Sequence, residues 1–339
     1  MRTLGLLSST LRTQRRAFSA SARRLHKYGF IGLGRMGYQM AKNLQSKLSP
    51  SDSVILFDIN KTAMNELAKD IRTSQPEGAV IELAENVVEV ARNANTVITV
   101  LRGSADVKSV FSEMLTSDLG QKPGVFIDSS TIDPTSSREV AKMVADTVQG
   151  QFVDAPMSGG VVGATAGTLT FMLGSPQELV PQIEPILMRM GKRVLHCGEQ
   201  GTGLGAKLAN NYLLAVNNLA TAEAMNLGIR LGLEPKTLAN VINASTGRCW
   251  PSEVNNPVKG VVETAPANND YVGGFNIALM NKDVILAVEA SGKVDASLVL
   301  GHRVRQIYKR VANLKGYEGR DFSIVYRYIS GESEDTENV

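Results

Sequence analysis

Three glycines constrain this chain more than any other feature. Gly32, Gly34 and Gly37 form a G-x-G-x-x-G pattern directly after the apolar run Tyr28-Gly29-Phe30-Ile31. Met36, Met40, Leu44 and Leu48 then recur every four residues, the spacing of one helix face. Strand, glycine turn and helix follow in that order, the arrangement that presents a dinucleotide's pyrophosphate to a helix N-terminus. The first glycine allows the tight turn, the second lets phosphate approach the backbone, and the third lets the helix pack closely on the strand. Leu33 and Met36 lie in the same turn, so Gly32, Leu33, Gly34, Met36 and Gly37 are the candidate cofactor-binding residues here. A glycine turn beside a surface aspartate is the plainer reading, and the second strand argues against it. Asp58 ends that strand about 20 residues beyond Gly37, where a carboxylate accepts from the ribose hydroxyls of NAD and repels the 2′-phosphate of NADP. The next residue is Ile59 and the nearest cation is Lys61, so the residues predict NAD.

At 339 residues, with 43% hydrophobic and 20% charged side chains, the chain is long enough for two cored domains. Short apolar runs at 28–31, 53–57, 96–101, 125–128, 152–154, 169–173 and 194–196 alternate with helical spacing. That alternation predicts a Rossmann-type α/β domain over 27–197, a parallel sheet flanked by helices. Strand signals stop after Gly198. Residues 204–231 read as one long apolar helix, the central pillar of an all-helical domain over 198–330. Its apolar character also points to a homo-oligomer.

Residues 1–26 contain six arginines, many Ser, Thr and Ala, and no acid; the first carboxylate is Asp52. That composition predicts a mitochondrial transit peptide and a matrix destination, against the alternative of a basic tail. The formal charge of +3 rests on those arginines, so the remainder is weakly acidic and gives no reason to expect nucleic acid as a partner. No apolar run reaches the roughly 20 residues of a membrane span. Cys197 and Cys249 read as thiols, and His26, His196 and His302 are too scattered for a metal site. Residues 331–339 form an acidic tail.

Four segments, the glycine turn among them, carry a resemblance. Gly-Phe-Ile-Gly-Leu-Gly (29–34), Asp-Ser-Ser-Thr-Ile-Asp-Pro (128–134), Asp-Ala-Pro-Met-Ser-Gly-Gly (154–160) and Gly-Thr-Leu-Thr-Phe-Met (167–172) resemble, in order, the β-hydroxyacid dehydrogenase family. The likeness runs from Gly29 to Tyr328 and includes 221–230, Gly-Arg-Cys-Trp (247–250) and Gly-Gly-Phe (273–275). It implies an NAD-dependent oxidation of a small hydroxyacid, in which a lysine takes the alcohol proton as hydride leaves for the nicotinamide. Lys207 matches the catalytic lysine, Asn211 a substrate-binding residue one turn on, and Ser158, Gly159 and Gly160 the substrate segment. Leu101, Thr131 and Lys282 match residues on the cofactor side of the cleft, with Asp283 a local structural partner of Lys282. The family usually has proline after Leu101; this chain has Arg102, which puts the shape of the loop to Asp106 in question.

By residue chemistry alone these assignments stay open. Ser-Gly-Gly at a sheet edge makes a nest for a carboxylate, yet is also an ordinary loop. A lysine in a partly buried cleft near a helix N-terminus loses proton affinity, yet lysines are mostly solvated. Tyr38 and Lys42 have another dehydrogenase class's Tyr-x-x-x-Lys spacing, but lie beside the expected phosphates. Other semialdehyde reductases of the family, or a non-catalytic dinucleotide-binding protein on the same fold, remain alternatives; the latter lack the lysine.

Overall fold

The computed structural model describes residues 25–116, 124–147 and 150–331. The expected transit peptide and acidic tail therefore lie almost wholly outside the described residues. Nine strands occur among those residues: β1 (Lys27–Ile31), β2 (Ser53–Phe57), β3 (Val80–Leu83), β4 (Thr96–Thr99), β5 (Val125–Asp128), β6 (Gln151–Asp154), β7 (Met157–Ser158), β8 (Leu169–Gly174) and β9 (Gly191–Gly198). Helices α1 (Arg35–Ser46), α2 (Lys61–Ser74), α3 (Val87–Asn93), α4 (Ser104–Leu115), α5 (Pro134–Asp146), α6 (Gly160–Ala166) and α7 (Val180–Leu187) connect them. A second set follows: α8 (Thr202–Arg230), α9 (Pro235–Ala244), α10 (Trp250–Glu253), α11 (Ile277–Lys293), α12 (Gly301–Ala312) and α13 (Val325–Ser330).

The sheet runs β3-β2-β1-β4-β5-β6-β8-β7, with β9 beside β8. Every pair from β3 to β6 is parallel, and strand order reverses between β1 and β4, the switch point where such sheets bind ligands. Because side chains alternate across a strand, neighbours in sequence serve opposite faces. Phe30, Leu56, Ile98, Ile127 and Val153 join one core with Met40 and Leu44 of α1. Ile31, Ile55, Val97, Phe126 and Phe152 join the other with Val90, Phe111 and Val140.

The structure bears out the parallel sheet from β3 to β6 and adds an antiparallel part, where β8 runs against β6 and β7. It adds β3 and β7, which lack a sequence signal for a physical reason. β3 is an edge strand with Val80 exposed and Glu82 pairing with Lys27, and β7 has two residues. The expected run to Leu101 stops at Thr99, because the Leu101 N–H turns to Ser130 Oγ (2.8 Å) instead of extending the ladder.

Helix α8 has 29 residues, about 44 Å of helix. Its later turns anchor the helical domain, where Ala215, Leu219, Ala222 and Met225 pack with Met280, Val284, Val304 and Tyr308. Buried Asn218 donates to Tyr308 Oη (2.9 Å), and Tyr308 Oη donates to the Ala215 carbonyl (3.1 Å). No helix among the described residues is long and apolar enough to cross a membrane.

Candidate active site

The glycine turn joins β1 to α1 at the switch point. Gly32 adopts φ +94°, and a Cβ there would strike the Val100 carbonyl, so only glycine holds this backbone. The N-cap of α1 is Gly34, whose side offers no cap, which leaves the first-turn N–H groups free for an anion. Space is kept there, for a Cβ at Gly34 would meet nothing within 4 Å. Gly37 packs α1 so closely on β1 that a Cβ would strike the Gly32 carbonyl. The turn therefore fits a dinucleotide pyrophosphate, while buried Leu33 and half-buried Met36 pack into the core beneath it.

Asp58 stands at the end of β2. Its Oδ2 accepts from the Leu33 N–H (2.6 Å) and its Oδ1 from the Asn60 N–H (2.7 Å). The carboxylate thus shapes the glycine turn and remains half-buried at the rim. Ile59 beside it is 81% exposed, so a larger residue is free to reach toward the same space. On the far side of the switch point, Leu101 is set by a chain of bonds that ends on buried Asp128. Asp128 Oδ1 accepts from Thr99 Oγ1 (2.7 Å) and Ser130 Oγ (2.6 Å). Burial pushes the Asp128 carboxyl above its usual range, against those donors. Arg102 leaves the cleft alone: it is exposed and pairs with Asp106, while Gly103 caps α4 in extended backbone.

Lys207 lies in the second turn of α8 and is 7% exposed. Among the described residues, no hydrogen bond or ion pair holds its Nζ. Burial lowers its pKa first, Asp283 opposes that, and Lys282 adds to it. The residue is more enclosed than its sequence neighbours suggest, and desolvation is the largest cause of its lowered proton affinity.

Asn211, one turn on, is 2% exposed and donates from Nδ2 to Asp283 Oδ2 (2.7 Å). Asp283 is itself buried and pairs through Oδ1 with Lys282 Nζ at 3.1 Å. Lys282 Nζ also donates to the Thr131 carbonyl (2.6 Å), across from α11 to the β5–α5 loop. One chain of contacts therefore joins Asn211, Asp283, Lys282 and Thr131, and with them both domains. Asp283 belongs to this centre rather than to local structure alone, which a lone Asp beside a Lys on a helix does not reveal in sequence.

Ser158 ends β7, paired with Thr170 of β8. Gly159 (φ +134°) and Gly160 (φ +61°) follow in backbone that side-chain-bearing residues rarely adopt. A Cβ on Gly160 would meet nothing within 4 Å, so the segment borders open space. Tyr38 and Lys42 do no such work, since both hold Asp70, at 3.2 and 2.7 Å.

Residues 27–198 match the family model described as the NAD binding domain of 6-phosphogluconate dehydrogenase. Residues 201–329 match the one described as NAD-binding of NADP-dependent 3-hydroxyisobutyrate dehydrogenase. A probable mitochondrial 3-hydroxyisobutyrate dehydrogenase of Dictyostelium discoideum is 43% identical over 303 residues, covering 89% of this chain and 90% of that one. The mitochondrial 3-hydroxyisobutyrate dehydrogenase of Homo sapiens is 42% identical over 305 residues, covering 90% and 87%. Among solved structures, the 3-hydroxyisobutyrate dehydrogenase of Mycobacterium tuberculosis with L-serine superimposes with a TM-score of 0.81 at 37% identity, covering 90% of this chain and 99% of that one. With both halves matched and relatives this similar along nearly their whole length, the chain belongs to the 3-hydroxyisobutyrate dehydrogenase family of NAD-binding oxidoreductases.

Proposed function

We propose that this enzyme oxidises 3-hydroxyisobutyrate to methylmalonate semialdehyde, a step of valine breakdown, with Lys207 as the general acid/base. The observation that carries the role of Lys207 is its burial without a bonded partner, which leaves Nζ available to an incoming hydroxyl. NAD, when bound, accepts the hydride. The first-turn N–H groups of α1 would hold its pyrophosphate, and Asp58 its ribose. Leu101, Thr131 and Lys282 would border its nicotinamide end. Lys207 in its neutral form takes the hydroxyl proton as hydride leaves the same carbon, so the alcohol becomes an aldehyde. Ser158, Gly159 and Gly160 would receive the substrate carboxylate, and Asn211, oriented by Asp283, would donate to the substrate.

A panel of 3-hydroxyisobutyrate, L-serine, glycerate and 4-hydroxybutyrate, each with NAD and NADP, tests the assignment. 3-Hydroxyisobutyrate with NAD should give the highest kcat/KM. A higher value for another acid would transfer the enzyme to a different branch of the same family.

The location is read as mitochondrial, in the matrix, from the arginine-rich segment 1–26 and the mitochondrial names of its relatives. The assembly is read as a homo-oligomer from the exposed Leu213 and Leu227 on α8. One preparation tests both. The full chain, tagged at its C-terminus and expressed in cultured cells, should fractionate with the matrix and elute as a multiple of a chain below 36.4 kDa. Cytosolic recovery would end the first reading, and monomeric elution the second.

A further inference from the structure

Ser158 and Lys207 sit on separate segments, and the reaction requires a fixed distance between them. A single carboxylate connects those segments. Asp154 ends β6, four residues before Ser158, and is 0% exposed. Its Oδ1 accepts from the Gly201 N–H (2.5 Å) and its Oδ2 from the Leu204 N–H (2.8 Å). Gly201 is the N-cap of α8 and has no side chain to cap with; Leu204 is the third residue of its first turn. A strand residue therefore does what an N-cap side chain does elsewhere. Lys207 follows Leu204 by three residues, on the adjoining turn of the same face.

The surroundings keep room for this group. Gly174 is the register partner of Asp154 on β8, and a Cβ there would strike the Asp154 carboxylate. A Cβ at Gly203 would lie 2.9 Å from Oδ2 and against the Met172 carbonyl. A buried carboxylate is costly to ionise, and a Ser or Asn on the helix itself would cap more cheaply. What such caps do not provide is a bond between α8 and the strand leading to Ser158.

We propose that Asp154 is a positioning residue for the dehydrogenase reaction, its carboxylate tying the first turn of α8 to β6 and so fixing Lys207 relative to Ser158–Gly160. It touches neither substrate nor cofactor and acts through the lysine. The inference rests on the roles given above to Lys207 and Ser158.

Its charge state supplies the readout. Burial, the largest cause, pushes the Asp154 carboxyl up to about 6; the Gly201 and Leu204 donors oppose this and Asp128 on β5 adds to it. The other groups facing it are the Cys197 thiol of β9, itself raised in part by Asp154, and Arg138 of α5, whose Nε lies 3.1 Å from where a Gly201 Cβ would stand. Lys207 is the first titratable side chain along α8. A protonated Asp154 carries an O–H and no charge, so the two backbone bonds that hold the first turn of α8 lose their charge-assisted strength. The folded-state value is raised, so this group's contribution to stability is present below the usual carboxylate value and lost as pH rises through about 6. Acid therefore loosens the site without unfolding the protein through Asp154.

The test runs in the direction of semialdehyde reduction with NADH. There Lys207 must donate a proton, so acid favours its role and cannot explain a loss of rate. The wild-type kcat/KM for reduction should fall roughly tenfold as pH drops from 7 to 5, the change expected of one carboxylate titrating near 6. Asp154→Asn at pH 7.5 should lose between roughly tenfold and 100-fold in kcat, the range a small misplacement of a catalytic group produces. Its profile should then stay flat to pH 5, with the Kd for NADH unchanged by fluorescence. A merely structural role would lower activity without removing the acid limb. If the variant does not fold, the wild-type profile still decides, because a rate that holds or rises down to pH 5 overturns the proposal. An acid limb that persists in Asp154→Asn overturns it too. Normal turnover in Lys207→Ala would instead remove the reading on which the proposal rests.

Discussion

Lys207→Ala should lose about 10² to 10⁴ in kcat while the Kd for NAD hardly changes, because general acid/base catalysis contributes on that scale and the dinucleotide turn lies on the other domain. The loss should fall on kcat more than on KM, since Nζ acts on the hydroxyl proton rather than on the carboxylate. Lys207→Arg separates charge from proton transfer. A guanidinium keeps the positive charge but does not deprotonate in a protein, so this variant should be nearly as slow as the alanine. In the oxidative direction the wild-type rate should rise with pH through the lowered Lys207 pKa, because only the neutral amine accepts a proton. That limb should lie below the range of an ordinary lysine, in keeping with the buried side chain. Near-normal turnover in Lys207→Arg would end the acid/base assignment, and near-normal turnover in Lys207→Ala would remove the lysine from the mechanism.

The parts of this site that are legible in sequence are those whose chemistry is local. Gly32, Gly34, Gly37 and Asp58 are spaced by a strand, a turn and a helix, so the motif carries its own geometry. The α8 helix is legible because Ala and Leu recur along its whole length with no helix-breaking proline. The antiparallel β8 is not, because strand direction depends on how the chain returns and leaves no mark on the strand's own pattern. Asp128, Asp154 and Asp283 share a different difficulty. Each is a buried carboxylate with a partner far away in sequence, at Thr99, Gly201 and Asn211. A signal was present for two of them, since Phe-Ile-Asp and Phe-Val-Asp each end an apolar strand with a charge that has to be satisfied inside. Only the fold shows by what. Arg102 itself points to solvent and pairs with Asp106, so its side chain stays out of the cleft.

The choice between NAD and NADP rests on Asp58, and the matched family models leave it as the sharper question, one being described for an NADP-dependent enzyme. Asp58 already accepts from the Leu33 and Asn60 N–H groups, so its carboxylate is fixed in place by backbone before any ribose arrives. A 2′-phosphate would have to approach a held negative charge, with Lys61 engaged instead by Glu85 at 3.7 Å. Wild-type enzyme should therefore favour NAD by a wide margin in kcat/KM. Asp58→Ala with Ile59→Arg should move the preference toward NADP by about 1–3 kcal/mol, the scale of a charged hydrogen bond lost on one side and gained on the other. That corresponds to between about fivefold and 150-fold in the ratio of kcat/KM values. The arginine has room, since Ile59 is 81% exposed. Asp58→Ala alone should weaken NAD as well, because the Leu33 N–H loses its acceptor and the glycine turn its brace. Asp58→Asn keeps one acceptor for the turn and removes only the charge, so it should relax the discrimination against NADP with a smaller loss of NAD affinity. A wild-type preference for NADP, or a double variant with the ratio unmoved, would show that Asp58 shapes the turn and does not select the cofactor.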